Sequence, residues 1–315
     1  VRDNTGGHLT SVDSILDIFL TSKQKLYGFE KNGKVSYTYG TGDKVKDYEI
    51  VLLGNSVSAS ASEVLIAGLK ENLNSKYFGE KKVLNQISTT FETGKCNLII
   101  GKSGSGKTVL MKCLVSLYTP DEGYIHFDDR ILRHLNKKEK VNLRKDIGML
   151  FQGSALFDSM NIEENVMFPI RMFQLSDYKT MKKRVDFCLE RVNLRGINKQ
   201  FPSEISGGMQ KRVAIARAIA TQPKYLFCDE PNSGLDPQTS IVIDQLIKEI
   251  THEYNITTVV NTHDMNSVME IGENINYIHQ GQLWWKGSNE NVLNSENQEL
   301  NDFIFCSALT KRLKL

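Results

Sequence analysis

Apolar positions along this chain follow two rhythms, the 3.6-residue period of a half-buried helix and the short continuous run of a buried strand. Residues 9–20 place Val12, Ile15, Leu16 and Phe19 on one helical face, with Thr10 or Ser11 available as the N-cap. Residues 25–39 alternate and turn at Asn32-Gly33, a dipeptide favoured in two-residue hairpins. Glu49–Leu53 predicts a buried strand, and Val64, Leu65 and Leu69 predict a helix that ends before Asn72. Further on, Leu98-Ile99-Ile100 reads as the end of a buried strand. Val109, Leu110, Cys113, Leu114 and Leu117 then recur at helical spacing until Pro120. Tyr225–Cys228 and Thr257–Val260 are further apolar runs of strand length, and the whole pattern predicts an α/β fold.

Composition adds bounds. The 315 residues suffice for one large or two ordinary domains, and the character of the sequence changes near residue 80. The expected domains are therefore 1–80 and 81–315. With 39 basic and 37 acidic residues the formal charge is +2, so no global field points to nucleic acid, and none is expected as a partner. The basic stretch Lys137–Lys145 carries Glu139 and reads as a solvated helix face. No apolar run reaches the length of a membrane span. Five scattered cysteines lack metal-type spacing and read as reduced core residues. The sequence opens at Val1 without an initiator methionine or signal segment, which predicts further sequence upstream. The tail Glu299–Leu315 combines apolar and basic residues and predicts a helix packed on another subunit, with a membrane-surface anchor as the alternative.

Three segments carry candidate chemistry. Gly101-Lys-Ser-Gly-Ser-Gly-Lys-Thr108 is the Walker A pattern, set between a strand and a helix. Gly101, Ser103, Gly104 and Gly106 let backbone N–H groups converge on a phosphate at a helix N-terminus. Lys107 would face the β/γ-phosphates, and the Thr108 hydroxyl would ligate Mg²⁺. Asp229 and Glu230 end an apolar strand, where a carboxylate pair can hold Mg²⁺ and polarise water, or form a plain turn. Ser56–Ser62 is a serine cluster between a strand and a helix, either a capped helix start or a nucleophile turn.

Residues 1–81 resemble the carboxyl-terminal processing proteases, a Ser/Lys peptidase family, through Arg2-Asp-Asn-Thr-Gly-Gly7 and Ser58-Ala-Ser-Ala-Ser-Glu63. The resemblance implies Ser60 as nucleophile and a lysine general base about two dozen residues later. Gly79-Glu80-Lys81 still fits that pattern, but Asn85 stands near the lysine's place. An amide cannot take the serine proton, so the expectation is a partial α/β peptidase fragment without activity.

From about Phe78 onward the chain resembles an ATP-binding cassette ATPase. Gln152 fits the Q-loop, Ser206-Gly207-Gly208-Met209-Gln210 the signature motif, and Tyr225–Glu230 the Walker B strand. Ser233-Gly234-Leu235-Asp236 fits the D-loop and His263 the switch histidine. The resemblance implies a P-loop cassette with a helical subdomain near residues 150–215, using ATP and Mg²⁺. Glu230, His263 and Gln152 would be catalytic, and Thr108, Gln152 and Asp229 would serve the metal. Phe78 would stack on adenine, upstream of a strand at Val83-Leu84. Ser206, Gly207, Gly208 and Asp236 would face nucleotide across a dimer of two copies. Because peptidase-like sequence occupies 62–77, the cassette's first edge strand is expected to be missing, leaving an unpaired edge.

Phe151–Met160, Glu164-Asn165-Val166, Glu230–Asp236 and Asn261–Glu270 resemble the Mla/MCE-type lipid transporters. That resemblance implies integral-membrane permease subunits that handle the lipid, with this chain peripheral on the cytoplasmic face of the inner membrane. An ATPase of another importer or of a cell-division complex, and a Ser/Lys peptidase, are the alternatives.

Overall fold

A computed structural model of the protein describes residues 83–173 and 177–305, together with four short strands nearer the N-terminus. The chain divides into two compact units, 1–82 and 83–315. In the first, β1 (Lys25–Lys31) and β2 (Lys34–Tyr39) pair antiparallel, with Lys31 opposite Lys34. Only positions 32 and 33 separate the strands, where the sequence marks a turn. β3 (Val51–Leu52) pairs in parallel with β4 (Lys76–Tyr77). A parallel pair needs a crossover of a dozen residues or more, and the segment between them is long enough. The helices expected at 9–20 and near 64–71, the serine Ser60 and the aromatic Phe78 lie outside the described residues.

The second unit is built on a six-stranded sheet. Its strands are β5 (Cys96–Ile100), β8 (Ile147–Leu150), β9 (Tyr225–Asp229), β10 (Thr257–Thr262), β11 (Asn274–His279) and β12 (Gln282–Gly287). A separate antiparallel pair is formed by β6 (His126–Phe127) and β7 (Arg130–Ile131). The sheet order is β12-β11-β5-β10-β9-β8, and every neighbouring pair is parallel except β11 with β12.

Side chains on β5, β9 and β10 alternate between two cores. Leu98, Ile100, Leu226, Cys228 and Val260 face a cluster built with the helices Ile162–Met172, Tyr178–Arg191, Gly207–Ile219 and Pro237–Glu253. Ile99, Phe227 and Val259 face the other, built with the helix Lys107–Leu114, β6 and Leu143. A parallel sheet covered on both faces needs nearly continuous apolar strands, hence the runs visible in the sequence. Lys137–Lys145 is a helix with Leu143 as its buried residue, capped by reciprocal bonds between Asn136 and Glu139. Lys137, Lys138 and Arg144 are exposed as the sequence implies, while Lys140 and Lys145 are half-buried.

Three expectations change. The helix after Gly106 stops at Leu114 instead of running towards Pro120. Ser116 takes a left-handed conformation (φ +61°), and the N–H groups of Leu117 and Tyr118 both return to the Lys112 carbonyl. Leu117 is thereby turned to solvent, so its helical spacing is coincidental. At the other end, the helix Gln298–Ile304 buries Leu300, Phe303 and Ile304 in the unit's own core, with the Phe303 ring tilted against Tyr277 at 5.5 Å, instead of offering them to another subunit. Leu309 and the basic residues after it lie outside the described residues. Finally, Val83 and Leu84 form no strand. The Asn85 N–H donates to Gly281 O at 2.8 Å, while Leu84, Ile87 and Phe91 pack on the second core. Asn85, standing where a peptidase lysine would be needed, is thus tied into the second unit. Cys96, Cys113, Cys188 and Cys228 are buried and free, and Cys306 lies outside the described residues.

One buried acid gives the fold a pH dependence. Asp244 accepts a 2.7 Å bond from Ser267 Oγ, and Asn232 Nδ2 donates to the same hydroxyl at 3.0 Å. Burial pushes the Asp244 carboxyl up from 3.8 to about 6, against the bonds from Ser267 and Asn232 and assisted by the charges of Asp264 and Glu270. Between those values the folded chain holds a proton that the unfolded chain releases. The carboxyl's stability contribution is therefore full below its unfolded pKa and is lost as pH rises through about 6. Asp244→Asn is expected to raise the thermal midpoint by a few degrees at about pH 7.5, on the order of 1 kcal/mol or more. At about pH 4 that gain should vanish. Equal melting curves at the higher pH would show that the carboxyl is not held up.

Candidate nucleotide site

The loop Gly101–Gly106 leaves the C-terminal end of β5 and enters the helix Lys107–Leu114. Two of its glycines are required by geometry. Gly101 has φ +150°, and a Cβ there would stand 2.2 Å from the Ile278 carbonyl oxygen. Gly106 has φ +102°, and its Cβ would meet Leu84 Cδ2 at 2.8 Å. Gly106 is also the N-cap, so no side chain caps the first-turn N–H groups. Such a terminus suits an anion. Ser103 and Gly104 lie exposed on the same loop. Lys107 is buried, with Nζ donating to Gly101 O at 2.9 Å and to Lys102 O at 3.2 Å. Burial lowers its pKa, opposed by the nearby charges of Glu230 and Asp229.

Strand register assembles the next group. Asp229 ends β9 opposite Asn261 of β10, and β10 lies beside β5, whose loop leads to Thr108. Thr108 Oγ1 donates to Asp229 Oδ1 at 3.4 Å. Asn261 Nδ2 donates to the same Asp229 oxygen and to Thr108 Oγ1, the latter at 3.3 Å. Burial raises the Asp229 pKa, countered by the Asn261 and Thr108 bonds and reinforced by Glu230. A hydroxyl and a carboxylate are hard oxygen donors of the kind Mg²⁺ selects. Among the described residues no group of three or more His, Cys, Asp or Glu side chains could hold a metal. That donor set fits Mg²⁺ completed by phosphate oxygens and does not fit a protein-caged transition metal.

Glu230 follows directly, in a left-handed conformation with φ +48°. For a non-glycine residue this costs about 1–2 kcal/mol. Its N–H donates to Asn261 O at 2.9 Å, and its carbonyl accepts from Ser233 N at 3.1 Å, which hold the turn. The side chain then faces two other segments. Glu230 Oε1 lies 3.0 Å from His263 Nδ1, and Oε2 accepts from Gln152 Nε2 at 3.4 Å. Gln152 Nε2 also reaches Ser233 Oγ at 3.4 Å. Gln152, Glu230 and His263, which leave β8, β9 and β10, therefore meet at one end of the sheet. Gln152 stands with Glu230 and not with the Thr108–Asp229 pair.

The signature segment forms a second group. Ser206 caps the helix Gly207–Ile219 by accepting from Met209 N at 3.3 Å. A Cβ on Gly207 would meet nothing within 4 Å, whereas one on Gly208 would strike Thr239 Cγ2 at 2.8 Å. Gly208 thus permits this helix to lie against the start of Pro237–Glu253. Asp236 caps that second helix, with Oδ1 accepting from Gln238 N and Thr239 N, both at 3.0 Å. Its bonds to Thr239 hold its carboxyl below the usual range.

Two cations link the groups. Lys211 Nζ donates to the Gln152 carbonyl, and Arg217 donates to Ser154 O at 2.6 Å and Ala155 O at 2.7 Å. Ser154 and Ala155 are consecutive left-handed residues, with φ +61° and +48°. Sequence reasoning passed over Asn261, Lys211 and Arg217. The available signals were an amide interrupting an apolar strand and cations inside a largely apolar helix.

A family model described as ABC transporter matches residues 84–233. One described as Peptidase family S41 matches residues 1–126, overlapping the first. The methionine import ATP-binding protein MetN of Clostridium tetani is 44% identical over 196 residues, covering 62% of this chain and 61% of that one. MetN of Campylobacter jejuni is 36% identical over 245 residues, covering 73% of each chain. The probable ribonucleotide transport ATP-binding protein mkl of Mycobacterium tuberculosis is 34% identical over 229 residues, 73% of this chain and 64% of that one. The chain thus spans about three fifths of the length of the first and third of these relatives. A solved structure described as the dimeric structure of MJ0796, a bacterial ABC transporter cassette, superposes with TM-score 0.61 at 32% identity. It covers 66% of this chain and 90% of its own.

Proposed function

Because the chain belongs to the ABC transporter ATPases, which use ATP with Mg²⁺, we propose that residues 83–315 hydrolyse ATP to drive a separate membrane permease. The observation that carries this reading is the meeting of Gln152 and His263 on the Glu230 carboxylate, at 3.4 and 3.0 Å, beside Asp229 at the end of β9 and the helix start that presents Lys107 and Thr108. Lys107 neutralises phosphate charge, and Thr108 with Asp229 holds Mg²⁺, which when bound offsets the charge that develops on transfer. Glu230 orients and polarises the attacking water, and His263 holds the Glu230 carboxylate in place. Ser206, Gly207 and Gly208 at their helix N-terminus face the nucleotide of a second copy, so the working unit is a dimer. A relative cassette, MJ0796, is described as dimeric, which supports this arrangement. Among the described residues no helix is long and apolar enough to cross a membrane, consistent with a peripheral subunit.

The cargo we infer is lipid. This rests on the likeness of the Phe151–Met160, Glu230–Asp236 and Asn261–Glu270 segments to Mla/MCE-type cassettes. Phe151 and Phe157 stand exposed on the first of these, as a surface for a permease requires. The names of the MetN relatives favour a second reading, methionine import. Co-purification of the full chain with its permease into lipid nanodiscs separates the two. Lipid cargo predicts phosphate release that varies several-fold with phospholipid headgroup and ignores methionine. Stimulation by methionine alone would overturn it.

A further inference from the structure

Asn261 is fully buried in β10, between Asp229 of β9 and Ile99 of β5 in register. The rest of that strand is Thr257-Thr258-Val259-Val260 and Thr262, and an aliphatic residue would satisfy both the fold and the core at this position. An amide costs stability there, because its Oδ1 finds no hydrogen-bond partner among the described residues. What the amide supplies is Nδ2, which donates to both Asp229 Oδ1 and Thr108 Oγ1. The Thr108 hydroxyl in turn donates its single proton to the same Asp229 oxygen.

This closed triangle has a chemical consequence. Asp229 Oδ1 carries two donors, which fixes the plane of the carboxylate, and Oδ2 takes no hydrogen bond among the described residues. Thr108 Oγ1 accepts one proton and gives one, leaving a lone pair in a fixed direction. One oxygen on each side chain is thereby oriented for a hard cation, and the group doing the orienting is neutral, so it adds no charge to compete for the ion.

We propose that Asn261 is a positioning residue that sets Thr108 and Asp229 for Mg²⁺, acting through both without touching the ion. The inference rests on the nucleotide-site reading above. Partners that orient metal ligands in this way are worth about 10- to 100-fold in metal affinity.

The test titrates a fluorescent ADP analogue onto the full chain, in EDTA and at graded Mg²⁺. Asn261→Leu, of similar volume but without donors, should raise the Mg²⁺ concentration for half-maximal effect about tenfold. Metal-free ADP binding should stay within about twofold of the unaltered chain, since Lys107 and the loop N–H groups are untouched. Asn261→Thr keeps one hydroxyl donor on a side chain suited to a strand, and should shift the Mg²⁺ requirement by about threefold. Should Asn261→Leu not fold, this second variant decides, and an unshifted requirement overturns the inference. An equal weakening with and without Mg²⁺ also overturns it, because a merely structural role acts on both. An unaltered chain that binds ADP with no Mg²⁺ dependence would instead overturn the nucleotide-site reading itself, and the inference with it.

Discussion

Glu230→Gln is expected to bind ATP as the unaltered chain does and to lose nearly all turnover, roughly 10²- to 10⁴-fold. The carboxylate sits between His263 Nδ1 at 3.0 Å and Gln152 Nε2 at 3.4 Å, and its backbone is locked in a left-handed turn. Glutamine is nearly isosteric, so the turn and the neighbouring strands have no reason to move. What changes is basicity, since an amide cannot accept a proton from water. ATP should then accumulate between two copies, visible as a dimer by size-exclusion chromatography with ATP and Mg²⁺. Phosphate release at the unaltered rate would show that another group polarises the water.

Lys107→Ala should act one step earlier, on binding. The ammonium is buried and held by two backbone carbonyls, at 2.9 and 3.2 Å, in a loop with no other buried cation among the described residues. Burial disfavours its charge, so a phosphate anion beside it restores a favourable environment. Losing the charge-assisted bonds is worth about 3 kcal/mol, roughly a hundredfold in Kd. Isothermal titration with ATP and Mg²⁺ measures this directly, and the Asp244→Asn variant, whose bonds run to Ser267 and not to the loop, serves as a folded control. A Kd within about twofold of the unaltered value would remove Lys107 from the phosphate contacts.

Much of this site was legible in the sequence because its parts are local. A strand end, six residues of loop and a helix start place Gly101–Thr108 within one stretch, and apolar strands ending in Asp229-Glu230 or just before His263 announce their own C-terminal ends. What the sequence could not convey was registration between strands distant in the chain. Asn261 looks like a flaw in an apolar run until β9 and β10 align it with Asp229. Leu117 misled in the opposite sense, since its spacing fits a helix that Ser116 has already ended by turning left-handed. The C-terminal helix misled for a related reason. Burial in the unit's own core and burial against another subunit demand the same apolar pattern. The chemistry of Gln152 was legible only in part, because its place beside Glu230 depends on how the segments after β8 and β9 converge.

The grip of the Gly207–Ile219 helix on residues 152–155 has one more consequence. Lys211 and Arg217 take hold of main-chain carbonyls only, and a carbonyl is the same atom whatever side chain stands beside it. The mechanical link between helix and loop therefore does not read the loop's side chains, and Gln152 is left to keep its own place beside Glu230. The fastening is blind to the lettering on the strap.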